Sequence, residues 1–190
     1  MAAAWTRRRA GDIAILTKNG FEVFYDGEPN LECFFVKLKG PKDTPYYGFE
    51  WDIRFTLPKE YPFKSPSVGF VQHIYHPNID ERSGSVCLDS LNSQWSPGFT
   101  LLSIVEVHLP YLLTYPNPDD PFNKDAAALL KSRPEQFKKT ANEHAKNHAI
   151  VVQASESSEK PEVGQVSGSP EEKPVERPEG PVEGPVASAP

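Results

Sequence analysis

The chain has 190 residues, a hydrophobic fraction of 38% and a formal net charge of −6 at pH 7. These values are typical of one packed domain with room for an appendage, and no apolar run is long enough for a transmembrane helix. Residues 1–20 lack a secretory signal, and no basic stretch with interleaved aromatic residues indicates nucleic-acid binding. The two cysteines, Cys33 and Cys87, are too few for a disulfide framework, so a reducing compartment, cytoplasmic or nuclear, is expected.

Residues 153–190 differ in composition from the rest of the chain. They contain seven prolines and no leucine, isoleucine or aromatic residue, and their eight glutamates outnumber three basic residues. Such a segment buries too little apolar surface to become ordered. We therefore expect a folded domain over residues 1–152 and a disordered Pro/Glu-rich tail over 153–190, with the acidity belonging to the tail.

The first element is a predicted helix over residues 4–18, whose apolar side contains Ile13 and Leu16. Asn19-Gly20 should end it, because these residues accept the left-handed conformation of a helix C-terminus.

Four short segments follow in which apolar residues dominate or alternate with polar ones, as expected for β-strands. The turns between them are short, which favours an antiparallel meander. The predicted strands are Phe21–Tyr25, Glu32–Lys39, Phe49–Leu57 and Ser67–Val71.

The loop over residues 58–66 contains three prolines, which make it stiff and extended. It presents Phe63, for which two interpretations remain open. Tyr61 and Phe63 could cap the edge of the core, or Phe63 could contact a partner protein.

Three helices are predicted in the C-terminal half of the domain. Thr100 is a candidate N-cap for a helix over 101–114, in which Pro110 should kink or break the last turn. A short helix is expected over 124–131, and a final one from Pro134 to about Val151. The fold class is therefore α+β: an N-terminal helix, a four-stranded meander, a loop shelf and C-terminal helices.

The stretch over residues 76–121 contains the candidate chemistry. Cys87 follows the turn-forming Ser83-Gly84-Ser85, which predicts an exposed position on a loop shelf. Asn78 lies behind Pro77 and offers an amide donor for a developing oxyanion. Asp120 lies in a proline-rich loop and could orient an incoming amine and help to remove its proton. A thiol, an amide and a carboxylate suit the passage of an acyl group from sulfur to an amine.

Other interpretations of these residues are weaker. A buried cysteine with no chemical role describes Cys33 better than Cys87. A cysteine protease needs a thiolate–imidazolium pair, whereas His76 precedes Pro77 in a structural turn. Asp89 and Asp120, if close to Cys87, would raise the thiol pKa. A metal site is not expected, because neither histidine pair, His73/His76 or His144/His148, has further ligands nearby in sequence.

These motifs make the chain resemble the ubiquitin-conjugating enzymes over about residues 5–150. The resemblance rests on the following segments, as they stand here: YPFKSP at 61–66, HPN at 76–78, GSVCLD at 84–89, WSP at 95–97 and PNPDDP at 116–121. It implies that Cys87 accepts ubiquitin as a thioester from the activating enzyme and gives it to a substrate lysine, usually with a ligase. No cofactor is implied, since ATP is used by the activating enzyme.

The resemblance also implies roles for individual residues. Asn78 would stabilise the oxyanion or hold the loop, Asp120 would position the lysine, and Asp89 would be a gate beside Cys87. His76 and Pro77 would be structural. The implied contacts with the activating enzyme and the ligase are Arg7, Arg8, Arg9, Phe63, Pro97 and Gly98.

Some features resemble one subgroup, which is implicated in histone ubiquitination and partnered with a large multisubunit ligase. They are the charged loop at Asp80–Arg82, Pro110, the Ala126–Ala128 helix and the acidic extension. Two other hypotheses remain: a non-catalytic ubiquitin-binding scaffold, and a carrier of another ubiquitin-like modifier. Neither membranes nor nucleic acids are expected partners.

Overall fold

The protein is represented by a computed structural model, which describes residues 2–86 and 95–152. Its elements are α1 (Ala2–Lys18), β1 (Val23–Phe24), β2 (Cys33–Lys39), β3 (Phe49–Thr56), β4 (Ser67–Phe70), α2 (Leu101–Ser103), a π-helical segment (Ile104–His108), α3 (Leu109–Thr114), α4 (Lys124–Ser132), α5 (Pro134–His148) and β5 (Ile150–Val151). This is the α+β order predicted from the sequence. None of the described helices combines the length and the apolar character needed to cross a bilayer.

The sheet is antiparallel throughout, with the strand order β1-β2-β3-β4. Alternate residues of β2 and β3 are buried, and Phe34 stacks on Phe55 at 5.2 Å between ring centroids. On α1, Ile13 and Leu16 are buried, and the helix ends before Gly20, whose φ is 85°. The predicted meander and N-terminal helix are therefore confirmed.

The end of the last helix differs from the prediction. The helix was expected to reach about Val151, but α5 ends at His148, and Ala149 is extended with φ −83° and ψ 167°. Ile150 and Val151 then form β5, which pairs antiparallel with the start of β3. Their branched side chains suit a strand better than a helix, so the sheet gains a short fifth strand.

The helical stretch over residues 101–114 contains an irregularity on the N-terminal side of Pro110. Pro110 was expected to kink the helix or break its last turn; the last turn is not broken, because α3 continues to Thr114. Proline removes one helical donor and crowds the carbonyl four residues earlier. The π-helical segment accommodates this change, because the Leu109 N–H donates to the Ile104 carbonyl, one residue further back than in an α-helix.

Candidate active site

His76 is the buried centre of the turn over residues 76–78. Its Nδ1 accepts a hydrogen bond from the Asn78 N–H at 3.0 Å, and its Nε2 lies 3.1 Å from the Leu112 carbonyl oxygen. A carbonyl oxygen only accepts, so Nε2 bears the proton and the ring is neutral. The Leu112 carbonyl is available because its helical partner would be Pro116, which has no N–H. Burial lowers the pKa of His76 to about 4.

The side chain of Asn78 joins this turn to the loop over residues 115–121. It is 3% exposed. Its Nδ2 donates to the carbonyl oxygens of Asn117 (2.7 Å) and Asp120 (3.2 Å), and its Oδ1 accepts from the Asn117 N–H (2.8 Å). Both amide hydrogens are therefore directed at loop carbonyls. Donation to an oxyanion would require one of these bonds to be exchanged during the reaction.

Pro77 and Asn123 extend the same junction to α4 and to the charged loop. The Pro77 carbonyl accepts from the N–H groups of Phe122 and Asn123, each at 2.9 Å. The Asn123 side chain caps α4 at Ala126 (3.0 Å) and donates to Glu81 Oε2 at 3.3 Å. Asn123 was not among the residues predicted for the site, although an asparagine directly before a helix is a typical N-cap.

The two acidic residues of the loop over 115–121 have different surroundings. Both side chains are exposed, but the Asp119 carboxylate lies 2.9 Å from Lys131 Nζ on α4. Among the described residues, the Asp120 carboxylate has no ion-pair partner. Since the Asp120 carbonyl is held by Asn78, the backbone that presents this carboxylate is fixed.

Cys87 and Asp89 lie outside the described residues, but the segment that leads into them is described. Val86 is buried, and its N–H donates to the Val68 carbonyl of β4 at 3.1 Å. The chain directly before the candidate nucleophile is therefore anchored on the sheet.

Gly84 makes the close approach that this anchoring requires. Its φ is 69°, and a Cβ placed there would lie 1.9 Å from the Phe70 carbonyl oxygen. The Phe70 N–H donates to the Gly84 carbonyl at 2.9 Å. Only glycine fits this conformation and this spacing.

The three arginines of α1 are not equally available for contact. Arg7 is exposed. Arg8 is partly exposed, and its Nε lies 2.6 Å from Asp12 Oδ2 on the next turn. Arg9 is 9% exposed and donates to the Pro58 carbonyl at 2.5 Å. This geometry gives Arg9 a role within the fold and leaves Arg7 and part of Arg8 at the surface.

The two aromatic residues of the loop over residues 58–66 differ in exposure, which distinguishes between the two interpretations given for them. Tyr61 is fully buried, as expected for core packing, whereas Phe63 is 64% exposed. Phe63 lies edge-on to Trp5 of α1 at 6.5 Å between ring centroids. Exposure of this kind suits contact with a partner.

The second predicted contact loop, over residues 95–100, lies beside the first. Pro97 and Gly98 are exposed. Trp95 donates from its indole Nε1 to the Pro62 carbonyl at 2.9 Å. Phe63, Pro97 and Gly98 therefore belong to adjoining loops.

Three histidines that are distant in sequence lie close together in the structure. His148 is 4.3 Å from His144 and 5.6 Å from His73, measured between ring centroids. Even so, no group of three histidine, cysteine or acidic residues among those described has the geometry to hold a metal ion.

Known proteins are similar to this chain over most of its length. The family described as "Ubiquitin-conjugating enzyme" matches residues 8–145. "Ubiquitin-conjugating enzyme E2 5" of Arabidopsis thaliana is 47% identical over 146 residues, covering 76% of this chain and 77% of that protein. "Ubiquitin-conjugating enzyme E2-24 kDa" of Saccharomyces cerevisiae is 47% identical over 120 residues, covering 63% of this chain and 55% of that protein. The solved E2 domain of a Toxoplasma gondii ubiquitin conjugating enzyme superposes with a TM-score of 0.69 at 28% identity, covering 75% of this chain and 97% of that one.

Proposed function

The chain belongs to the family of ubiquitin-conjugating enzymes, and we propose that Cys87 is the residue on which it carries ubiquitin. The enzyme is a transferase that works through a cysteine thioester, with ubiquitin, an activating enzyme and a ligase as its partners. The observation that best supports Cys87 is the junction at Asn78. It joins the turn that precedes Cys87 in the chain to the loop that bears Asp120. Cys33, by contrast, begins a strand paired with β3.

The proposed reaction has two acyl transfers. The Cys87 thiolate attacks the thioester that joins ubiquitin to the activating enzyme, and the thiolate of that enzyme leaves. A lysine amine then attacks the new thioester carbonyl, the carbon–sulfur bond breaks, and an isopeptide bond forms. The amine loses its proton and Cys87 is released.

Three neighbouring residues have proposed roles in the second transfer. Asp120, exposed on a loop held by Asn78, orients the lysine and favours loss of its proton. Asn78 keeps that loop in place and stabilises the oxyanion by exchanging one of these two bonds during the reaction. Asp89 acts as a gate beside Cys87.

The proposed contact surface for the activating enzyme and the ligase consists of Arg7, the exposed part of Arg8, Phe63, Pro97 and Gly98. Arg9 stabilises this surface through its hydrogen bond to the Pro58 carbonyl. No bound cofactor is part of the proposal, because ATP is consumed by the activating enzyme.

We further propose membership of the histone-ubiquitinating subgroup, with a large multisubunit ligase and a cytoplasmic or nuclear location. The support is the charged loop at Asp80–Arg82, Pro110, the alanine-rich α4 and the acidic extension. Discharge assays on nucleosomes and on unrelated lysine-rich proteins would test it, and equal rates on both would count against this subgroup.

The first experiment is charging with activating enzyme, ATP and ubiquitin, analysed on gels with and without thiol. We expect an ATP-dependent adduct that thiol removes. Cys87→Ser should give an adduct that resists thiol, because an oxyester is more stable than a thioester. The matched control, Cys33→Ser, should charge normally.

Other outcomes would redirect the proposal. If Cys87→Ser kept a thiol-labile adduct, another cysteine would be the carrier. If ubiquitin gave no adduct but a ubiquitin-like modifier did, the assignment of ubiquitin as the carried protein would be wrong. No adduct with any modifier would support the scaffold hypothesis.

A further inference from the structure

Asp12 connects α1 to both of the loops expected to face partner proteins. It is 4% exposed. Its Oδ2 accepts from Arg8 Nε at 2.6 Å and from the Tyr61 hydroxyl at 2.5 Å. Tyr61 belongs to the loop over 58–66. Arg8 in turn donates to the Phe99 carbonyl at 2.9 Å, in the loop over 95–100. One carboxylate oxygen therefore holds one loop directly and the other through Arg8.

The two loops are also joined to each other, so that α1 and the two loops are linked pairwise. Trp95 donates to the Pro62 carbonyl at 2.9 Å, and its ring lies 6.1 Å from that of Tyr61. Displacement of either loop would therefore strain the link to α1 or the link to the other loop.

The charges in this network are matched. The Asp12 carboxylate is compensated by the Arg8 guanidinium, and its bond with Asp12 raises the pKa of Arg8. Burial, followed by the bond to Asp12, raises the pKa of Tyr61. A buried carboxylate is costly unless it is paired and hydrogen-bonded, so removal of either donor weakens the whole junction.

We propose that Asp12 is a positioning residue that sets the relative placement of α1 and the two partner-facing loops before any partner binds. The inference rests on the proposed function, in which Arg7, Phe63, Pro97 and Gly98 contact the activating enzyme and the ligase. A surface that is already ordered loses less entropy on binding. Asp12 therefore acts on partner affinity and not on the chemistry at Cys87.

Charging kinetics test this separation. Asp12→Ala should raise the KM for this protein in charging by about five- to tenfold, with kcat changed by less than about twofold. Discharge of the preformed thioester to free lysine, without a ligase, should stay within about twofold of the unaltered rate. The matched control is Glu135→Gln, which removes an exposed carboxylate paired with Lys138 on α5 and should leave all three quantities unchanged.

A second variant guards against misfolding of Asp12→Ala. Tyr61→Phe removes only the hydroxyl that reaches Asp12, and it should raise KM in the same direction by a smaller factor. An unchanged KM in both variants would overturn the proposal. A rise in KM matched by equal falls in kcat and in lysine discharge would also overturn it, because these changes together would indicate general loss of structure.

Hydrogen exchange separates this inference from the proposed function. In Asp12→Ala, amides of residues 58–63 and 96–100 should lose protection together, while those of β2 and β3 keep theirs. If the unaltered protein failed to charge, the proposed function would fail, yet joint loosening of the two loops would still support the positioning role. Loss of protection in one loop alone would contradict it.

Discussion

Among the described residues, two polar junctions that hold loops of proposed function are built from different chemistry. The active-site junction, His76 with Asn78 and the Pro77 carbonyl, uses neutral groups and joins the turn over 76–78 to the loop over 115–121 and to the start of α4. The α1 junction, Arg8 with Asp12 and Tyr61, uses an ion pair to join a helix to two loops.

This difference predicts different responses to pH. Neutral amides do not titrate, so the active-site junction is sensitive to acid only through His76. Tyr61 in the α1 junction has a raised pKa, so its contribution is fully present below its unfolded pKa of about 10 and is lost only as pH rises beyond that value. Between the pH at which His76 is protonated and about pH 10, both junctions remain intact, so they are both formed at neutral pH.

The strongest test of the active-site junction is Asn78→Ala. We expect discharge to lysine to slow by about a hundredfold, the usual effect of removing an oxyanion donor. Release of the loop that bears Asp120 should contribute to this loss. Charging should be largely intact, since it needs no activated lysine. The assay compares single-turnover discharge and charging.

Asn142→Ala is the matched control for Asn78→Ala. The side-chain amide of Asn142 also joins two distant segments, here α5 and the Pro45 carbonyl at 2.9 Å, but it lies outside the active-site junction. It should discharge normally. If Asn78→Ala abolished charging as well as discharge, the proposed division of roles would be wrong.

The next largest effect concerns pH and His76. The unfolded chain binds a proton at this histidine near pH 6.5, whereas the folded chain does so only near pH 4. Between these values the unfolded state binds more protons than the folded state. The contribution of neutral His76 to the free energy of unfolding is therefore fully present above pH 6.5 and declines as the pH falls toward 4. The loss should reach about 3 kcal/mol by pH 4.

Urea unfolding of the protein and of His76→Gln from pH 7 to pH 4 measures this contribution. Glutamine supplies a side-chain amide, which offers a donor and an acceptor but cannot titrate, so the stability of the variant should depend less on pH. The difference between the two curves isolates His76 from the carboxylates that also titrate. Parallel curves would show that His76 is not the acid-sensitive group.

The smallest expected effect is that of removing residues 153–190. Their composition allows little burial, and both junctions lie within residues 2–86 and 95–152. The free energy of unfolding should change by less than about 0.5 kcal/mol, the range typical of surface changes. A decrease of several degrees in Tm on truncation would show that the tail supports the fold.

Sequence patterns were sufficient for the elements whose residues repeat with a clear period. The alternation in β3 identified its buried residues, and the apolar pair Ile13 and Leu16 identified the inner side of α1. The β-branched Ile150 and Val151 were assigned to a helix, because their partners in β3 lie about a hundred positions away. Local propensity could not reveal that pairing.

The candidate site was partly predictable for a similar reason. The motifs located Asn78 and Asp120, but their contacts are hydrogen bonds between distant segments, which the motifs do not reveal. The resemblance implied that Arg9 contacts partners, whereas in the structure Arg9 is 9% exposed and donates to the Pro58 carbonyl. The spacing of four between Arg8 and Asp12 was a signal for their ion pair, whereas the link to Tyr61 had no sequence signature.

The π-helical segment before Pro110 also sets the rotational phase of α3. A π-turn amounts to one extra residue in an α-helix, which rotates everything after it by about 100°. With that rotation, Leu109 and Leu113 are buried, while Tyr111 and Tyr115 are 62% and 64% exposed. Deleting one residue from 104–108 would rotate α3 by about 100° and carry Leu109 and Leu113 partly out of the core. The length of this segment is therefore constrained by the burial of Leu109 and Leu113.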